Sequence, residues 1–295
     1  MDKKIICFGE VLWDILPTGK VAGGAPMNVA IRLQSLGISS AVISTIGDDV
    51  LGEALLDIIK ERGVETAFIK VNKELPTGQV WVQLDEHGIA TYDIVYPSAW
   101  DKIEYSGAFK HAVNTADALV FGSLACRDEV SRDALLQLLD VAHYKVFDVN
   151  LRIPYYTISV VEELMKKSDF IKLNEEELLL IAQSMESGSA VIEENIVFIS
   201  EKTQTDTICI TRGKDGAVLY TNEQFYYHSG YAVTVEDTIG AGDSFLAALI
   251  YGMFNHQPFD EVLSFACATG ALVASRKGAN PIITFDEINL LVKAI

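Results

Sequence analysis

The sequence lacks several features that would place it in a familiar class. Its four cysteines include no CxxC pair and lie in apolar segments, so we expect buried free thiols rather than disulfides or metal ligands. No apolar run reaches the ~20 residues that a membrane-spanning helix needs. The N-terminal segment, which carries Asp2 and Glu10, is not a signal peptide. These absences indicate a protein of the reducing cytoplasm.

Basic residues are also scarce. The chain has 23 Lys and Arg against 41 Asp and Glu, which gives a formal net charge of −18. Such a chain has no electrostatic footprint for nucleic acid or for an anionic membrane surface. An anionic ligand would therefore need a local, pre-arranged site. The five histidines show no metal-ligand spacing.

The common nucleotide-binding signatures are missing. Both Gly-Lys pairs, Gly19-Lys20 and Gly213-Lys214, are followed by Val or Asp instead of Ser or Thr, so there is no P-loop. No HRD or DFG triplet marks a protein kinase. The segment 240–242 lacks the third glycine of the dinucleotide fingerprint. A nucleotide site, if present, must be of another type.

What is present is a long alternation of predicted strands and helices. With 49% apolar residues in 295, the chain can bury a large core. A β-prone run at 3–8 precedes a helical pattern that stops at Gly37, then a buried strand and a helix that ends at Gly63. The same rhythm resumes at Asp117. It predicts one α/β domain, 1–295, with a mostly parallel sheet and helices on both faces.

One region breaks this rhythm. The segment 78–96 alternates apolar and polar residues around the turn Asp85-Glu86-His87-Gly88, which is typical of a hairpin with one wet face. Such a hairpin cannot lie inside a parallel sheet. We therefore predict a small projecting β lid, with strands in about 10–23 and 66–102.

The segment DTIGAGD at 237–243 is the most informative one. A strongly apolar helical pattern follows it directly, so a helix begins near Gly242 with its first backbone N–H groups unpaired. Gly240 and Gly242 let an anion approach those groups. N–H donors stabilise a transferring phosphoryl group, and a carboxylate such as Asp243 can accept the proton of an attacking hydroxyl. Alternatively, Asp243 merely caps the helix.

Two upstream features suit a polyol ligand. Gly23-Gly24 precede a predicted helix, in which Asn28 offers a donor and an acceptor. Asp14 follows the first strand, where its carboxylate can accept two hydroxyl hydrogen bonds. Ordinary turn chemistry explains each feature equally well when it is taken alone.

Three further segments follow predicted strands, at the edge of an α/β sheet where ligands bind. The segment 148–152 reads DVNLR. The segment 174–177 is either a helix start with acidic residues that complement the dipole or a site that holds Mg²⁺ through water. The glycine loop at 211–216 either packs on a nucleotide or simply turns the chain.

Together these motifs resemble the ribokinase-like (PfkB) family of sugar kinases over nearly the whole chain. The early pattern comprises Gly23-Gly24, Pro26, Asn28 and Gly37, and the late one is DTIGAGDSFLAALI from Asp237. The resemblance implies the ribokinase-like three-layer fold. It also implies an ATP-dependent, Mg²⁺-dependent carbohydrate kinase, and a lid that in many members pairs two copies into a homodimer.

The resemblance assigns roles residue by residue. The catalytic base would be Asp243, and the anion hole would be Gly240, Ala241 and Gly242. The sugar side would comprise Asp14, Gly24, Asn28 and Arg152. The ATP side would comprise Asn150, Asn174, Thr211, Gly213 and Gly216. Glu177 would act on Mg²⁺ through water. A monovalent cation such as K⁺ would lie near Asp237, Ile239 and Gly278.

The substrate follows from finer resemblances. GGAPMNVA, DVNLR and KLNEEE are most similar to fructokinases. Ala25-Pro26 stand where kinases of phosphorylated sugars tend to have Lys, which favours an uncharged sugar. DVNLR also resembles 2-keto-3-deoxygluconate kinases, and 153–156 lacks the Trp common in fructokinases. We expect D-fructose to be phosphorylated at its 6-hydroxyl. The alternatives are 2-keto-3-deoxygluconate kinase, ribokinase, or a non-catalytic sugar- or nucleotide-binding regulator on the same fold.

Overall fold

The computed structural model of the chain describes residues 3–17, 19–84 and 90–293. The predicted turn Asp85-Glu86-His87-Gly88 lies outside the described residues. The strands are β1 (Lys4–Phe8), β2 (Leu12–Leu16), β3 (Gly19–Gly23), β4 (Ser39–Gly47), β5 (Ile69–Asn72), β6 (Gly78–Leu84), β7 (Ala90–Ile94), β8 (Ala118–Gly122), β9 (Lys145–Asp148), β10 (Phe170–Asn174), β11 (Thr207–Thr211), β12 (Ala217–Thr221) and β13 (Gln224–His228). The helices are α1 (Ala25–Ser35), α2 (Val50–Glu61), α3 (Gly107–Thr115), α4 (Glu129–Leu139), α5 (Ile158–Lys166), α6 (Glu175–Ser184), α7 (Ile192–Thr203), α8 (Ala241–Phe254), α9 (Phe259–Ala274) and α10 (Phe285–Val292).

Two sheets organise these elements. Within the described residues, nine strands form one sheet in the order β13-β12-β11-β10-β9-β8-β1-β4-β5, and four form a second in the order β3-β2-β6-β7. The large sheet is parallel from β5 to β11, and β12 and β13 extend it as an antiparallel hairpin. The predicted α/β class, with a mostly parallel sheet and a small additional sheet, is confirmed.

The central strands of the large sheet are buried on both faces because most of their positions are apolar. In β1, Ile5 and Cys7 pack with helices α1, α2, α8, α9 and α10, whereas Ile6 and Phe8 pack with α3 to α7. Successive side chains of a strand point to opposite faces, so an uninterrupted apolar strand needs a cover on each side. This pattern produces the three layers. All four cysteines are buried free thiols.

The small sheet covers one end of the large one. Its centre is the parallel pair β2–β6, with β3 and β7 antiparallel at the two edges. The range 66–102, assigned to the lid from the sequence, is divided between the sheets, because Ile69–Asn72 pairs with β4 at the edge of the large sheet. No helix in the described part of the chain is long and apolar enough to cross a membrane.

Candidate active site

A cavity of about 510 Å³ opens between the small sheet and the carboxyl ends of the central parallel strands. Twelve of the residues predicted for the site line it, namely Asp14, Gly24, Asn28, Asn150, Arg152, Asn174, Glu177, Thr211, Ile239, Gly240, Gly242 and Asp243. Ala241, Gly213, Gly216, Asp237 and Gly278 do not. Carboxyl ends of parallel strands meet at one edge, which is why segments distant in sequence converge here.

One wall of the cavity is apolar and comes from the small sheet and the segment after β8. It consists of Leu12, Val80, Ile94 and Leu124. These side chains also form a buried cluster with Trp100, which is fully buried. The rest of the lining is largely polar and includes Asp14 of β2 itself and Asp243. The cavity therefore suits a ligand that has both carbon surface and polar groups.

Gly240 fixes the start of helix α8. It has a φ of 73°, and a Cβ built on it would lie 2.4 Å from the carbonyl oxygen of Ala279. Both facts restrict the position to glycine. The N–H of Ala241 donates to the carbonyl of Thr238 at 3.2 Å. Gly242 and Asp243 follow in the first turn, where backbone N–H groups have no partner within the helix.

Asp243 lies in that first turn and accepts a hydrogen bond on Oδ2 from Asn28 Nδ2 at 2.7 Å. Asn280 Nδ2 in turn donates to Asn28 Oδ1 at 2.6 Å, which fixes the orientation of the Asn28 amide. Burial raises the pKa of Asp243 to about 6, and the charge of Asp148 adds to this rise. The Asn28 hydrogen bond and the positive charges of Lys172 and Arg152 oppose it. Such a carboxylate is suited to act as a general base near neutral pH.

The paired glycines allow β3 and α1 to approach the side chain of Asp14 and the backbone of Glu10. A Cβ at Gly23 would lie 2.4 Å from Asp14 Oδ2, and one at Gly24, whose φ is 112°, would lie 2.4 Å from the carbonyl oxygen of Glu10. Burial raises the pKa of Asp14 to about 6, against the opposing charge of Arg152. The glycines are thus required by close packing around the acidic groups.

Glu10 is a site residue that the sequence did not assign. It is 3% exposed, its Oε1 accepts from the backbone N–H of Ala25 at 3.3 Å, and its Oε2 is buried without a hydrogen-bond partner. Burial raises its pKa to about 7. The available signal was its position, because Glu10 lies two residues after the end of β1, at the ligand edge of the sheet.

Lys172 escaped the sequence analysis, and Asp148 entered it only as the first residue of the DVNLR segment, without a role. Lys172 Nζ donates to Asp148 Oδ1 at 2.8 Å, and both side chains are less than a tenth exposed. Both line the cavity. A charged residue near the end of an otherwise apolar strand, as in FIKLN or VFD, was the signal for each.

Asn174 and Glu177 form a capping box at the start of α6. Asn174 Oδ1 accepts from the N–H of Glu177 at 2.8 Å, and Glu177 Oε2 accepts from the N–H of Asn174 at 2.9 Å. Glu177 Oε1 also accepts from the N–H of Leu151 at 2.7 Å, which ties α6 to the DVNLR segment. Burial raises the pKa of Glu177. Asn174 and Glu177 therefore cap α6 and also line the cavity.

The donor set at this end of the cavity fits a magnesium ion held through water. In the described residues, no group of three or more His, Cys, Asp or Glu side chains is arranged to bind a metal directly. Asp148 Oδ2 is buried without a partner, and Glu177 lies on the same wall. Mg²⁺ prefers oxygen ligands and keeps several of its waters, so carboxylates that face it across water suit it.

The glycine loop after β11 contributes mainly through its backbone. Thr211 lines the cavity, whereas Gly213 and Gly216 lie in the turn that leads into β12. Gly216 has a φ of 84° and packs against the backbone of His228, where a Cβ has no room. Arg212, which lies between Thr211 and Gly213, is ion-paired with Glu175 at 3.1 Å.

The three residues predicted for a monovalent cation do lie together. Asp237 Oδ1 accepts from the N–H of Ile239 at 3.0 Å, and Asp237 Oδ2 accepts from the N–H of Gly278 at 3.1 Å. This carboxylate links the loop before α8 to the segment after α9. Asp237 itself does not line the cavity, whereas Ile239 does.

Comparison with known proteins places this site in a family. The chain matches the pfkB family carbohydrate kinases over residues 3–284. It belongs to that family and is a carbohydrate kinase, which confirms the resemblance drawn from the sequence.

Individual relatives agree with this assignment. Fructokinase-2 of Solanum lycopersicum is 30% identical over 319 residues, covering 98% of this chain and 96% of the relative. The structure of fructokinase with bound ATP from Xylella fastidiosa superposes with a TM-score of 0.87 at 25% identity, over 99% of both chains. The structure of a Vibrio cholerae fructokinase with bound fructose, ADP and calcium ion gives a TM-score of 0.84 at 25% identity, also over 99% of both chains.

Proposed function

We propose that this carbohydrate kinase transfers the γ-phosphoryl group of ATP to the 6-hydroxyl of D-fructose, with Asp243 as the base. The observation that carries the proposal is the position of Asp243. Its carboxylate, with a pKa raised to about 6, lies in the first turn of α8 and in the same cavity as Asp14 and Asn28. A base and an anion-binding helix start are thereby adjacent.

The sugar lies between the polar and apolar walls of the cavity. Asp14 and Asn28 accept and donate hydroxyl hydrogen bonds, and Gly24 leaves room for the ring. Leu12 and Val80 of the small sheet cover the carbon face of the sugar. With the sugar in place the small sheet excludes water, which would otherwise compete as the nucleophile.

The chemical step is an in-line transfer. The sugar hydroxyl attacks the γ-phosphorus while Asp243 accepts its proton, and the bond to the bridging oxygen breaks so that ADP leaves with the electron pair. The start of α8, after the turn at Gly240 and Ala241, stabilises the charge on the transferring group with the backbone N–H groups of Gly242 and Asp243. The N–H of Ala241 is not available for this, because it donates to the carbonyl of Thr238.

The remaining residues hold the nucleotide and its ions. Asn150, Asn174, Thr211, Gly213 and Gly216 form the ATP side, with Arg152 between ATP and sugar. Glu177 would hold Mg²⁺ through water, and Mg²⁺ would supply charge neutralisation at the phosphate oxygens. The loop before α8 would hold a monovalent cation such as K⁺ beside Asp237, Ile239 and Gly278, and this ion would supply positive charge there. Buried free thiols suit a cytoplasmic location.

An uncharged sugar is supported by the charges at the cavity. Acidic side chains predominate, and of the two cations that line it Lys172 is ion-paired with Asp148. A second candidate, 2-keto-3-deoxygluconate, is favoured by Arg152. This side chain is exposed at the cavity. Within the described residues, it donates one hydrogen bond, to the carbonyl of Leu151 at 3.0 Å. It is available to a sugar carboxylate.

The test is a coupled ADP-release assay with Mg-ATP and a panel of acceptors. The panel contains D-fructose, 2-keto-3-deoxygluconate, D-ribose and fructose 6-phosphate, and a linked isomerase and dehydrogenase report fructose 6-phosphate as the product. We expect the highest kcat/KM with D-fructose, and a loss of about 10²- to 10⁴-fold in kcat for Asp243→Asn. Arg152→Met distinguishes the two sugars, because it should lower kcat/KM for 2-keto-3-deoxygluconate far more than kcat/KM for fructose.

Other outcomes are equally clear. A preference for 2-keto-3-deoxygluconate or D-ribose would overturn the sugar and keep the chemistry. Folded protein that binds ATP but turns over no acceptor would favour a regulator. Pairing of two copies through the small sheet stays a prediction, which a molar-mass measurement by light scattering tests.

A further inference from the structure

The Lys172–Asp148 ion pair lies directly behind the anion-binding turn. The two residues are register partners on the adjacent parallel strands β10 and β9, and their side chains meet with Nζ and Oδ1 2.8 Å apart. A Cβ built on Gly242 would lie 3.6 Å from Lys172 Nζ. The ammonium group is therefore next to the backbone at which the transferring phosphoryl group would lie.

The hydrogen-bonding capacity of the Lys172–Asp148 pair is not fully used within the protein. An ammonium has three N–H donors, yet within the described residues Lys172 Nζ donates to one acceptor, Asp148 Oδ1. Asp148 Oδ2 is buried and has no hydrogen-bond partner. Buried polar groups are normally paired, so the unused donors of Lys172 at the cavity point to a ligand that offers acceptor oxygens. Asp148 Oδ2 is the acceptor that faces the magnesium end of the cavity.

The ammonium lies among carboxyl groups. Those of Asp148, Glu177 and Asp243 line the same cavity as Lys172. Burying a charge is costly, and a purely structural position between two strands would be filled more simply by an apolar residue. A positive charge is thus placed where negative charge develops in the transfer.

We propose that Lys172 is a further catalytic residue, which donates a hydrogen bond from Nζ to an oxygen of the transferring phosphoryl group, and that Asp148 is the positioning residue that holds it. The inference rests on the proposed kinase mechanism. Lys172 keeps its proton throughout. The sugar oxygen–phosphorus bond forms, the phosphorus–bridging oxygen bond breaks, the proton passes to Asp243 and the electron pair leaves with ADP. An ammonium is a compact point charge suited to this contact.

The test compares Lys172→Met with the double variant Lys172→Met/Asp148→Asn. The single variant leaves a buried carboxylate uncompensated, whereas the double variant removes both charges and protects the fold. We expect kcat to fall about 10²-fold or more in both, as for the loss of one oxyanion donor, with the KM for the sugar changed little. Lys167→Met is the control, because Lys167 forms an exposed ion pair with Asp140 at 3.3 Å, far from this chemistry.

A binding readout separates catalysis from structure. ADP affinity is measured by calorimetry with Mg²⁺ and sugar, with and without aluminium fluoride, which mimics the transferring group. Wild-type protein should gain affinity when fluoride is added. Lys172→Met and the double variant should lose most of that gain while binding ADP alone normally.

Two results would overturn the inference. If the double variant recovers near wild-type kcat, Lys172 serves only to neutralise Asp148. If the fluoride gain persists in Lys172→Met, the ammonium does not contact the phosphoryl group. Failure of the proposed function itself looks different, since the wild-type protein would then release no ADP with any acceptor.

Discussion

Replacement of Asp243 by Asn is expected to stabilise the protein at alkaline pH while it abolishes most activity. Burial raises the pKa of this carboxyl from 3.8 to about 6. That is a rise of about two units, which at about 1.4 kcal/mol per unit amounts to about 3 kcal/mol as an upper bound. Asn keeps an oxygen that can accept the Asn28 hydrogen bond and carries no charge to desolvate.

The sign of the effect follows from where the proton is lost. Between pH 4 and 6 the folded protein still holds a proton that the unfolded chain, with a pKa of 3.8, has released. Ionisation therefore favours unfolding, and stability falls as the pH rises through this window. Above pH 7 the wild type carries the full cost, whereas Asp243→Asn does not. The two proteins should become equally stable near pH 4.

The assay is urea denaturation of both proteins at pH 8 and pH 4, together with thermal unfolding. With an unfolding entropy of about 2.1 cal/mol/K per residue, about 3 kcal/mol corresponds to about 5 °C in Tm for this chain. We expect Asp243→Asn to have the higher Tm at pH 8. A variant that is equally stable or less stable than wild type at pH 8 would refute the claim that the ionised carboxylate is held at a cost.

Three further predictions concern other parts of the molecule. The bidentate Arg127–Asp101 ion pair is almost fully buried, with 2.7 and 2.8 Å contacts. Arg127→Met should therefore cost about 3 to 5 kcal/mol in urea denaturation, and Arg127→Met/Asp101→Leu should recover part of it. Gly240→Ala should displace the first turn of α8 from Ala279 and lower kcat about 10²-fold. Gly37→Ala, which has a similar φ of 80° and open space around it, should leave kcat unchanged. The net charge of −18 repels Mg-ATP, so kcat/KM for Mg-ATP should rise with salt between about 0.01 and 0.15 M, and kcat/KM for D-fructose should not. A fall for Mg-ATP would contradict this.

The layered fold could be predicted because its strands carry a simple signal. β1 is apolar at positions facing both ways, from Ile5 to Phe8, and only a sheet covered on both faces accommodates that. The β12–β13 hairpin gave no such signal. Its turn uses Asn222 and Glu223, both with positive φ, of 51° and 59°. Asn is common in that conformation and Glu is not, so the sequence lacks the Asn-Gly pair that marks such a turn.

The site was predictable where a motif is local and not where it depends on strand order. Gly240 and Asp243 are neighbours in sequence, and the glycine spacing itself indicates a helix start that binds anions. Lys172 and Asp148 are brought together only because β9 and β10 are adjacent with that register. Composition and periodicity do not specify which parallel strands pair, so the sequence alone did not place these two charges side by side.

The acidic character of the cavity explains both the instability of the site and its chemistry. Five carboxyl groups line it, those of Glu10, Asp14, Asp148, Glu177 and Asp243. Burial and mutual repulsion keep some of these groups protonated at pH values at which exposed carboxyls are ionised. Each raised pKa means that ionisation of the group lowers the stability of the folded protein. The same shift brings the base closer to the operating pH, where proton transfer is most efficient. An anionic nucleotide can then be held only by local donors, which in the proposed site are the backbone N–H groups of α8, the ammonium of Lys172 and the residues of the ATP side. The features that weaken the fold are therefore the ones that the proposed reaction needs.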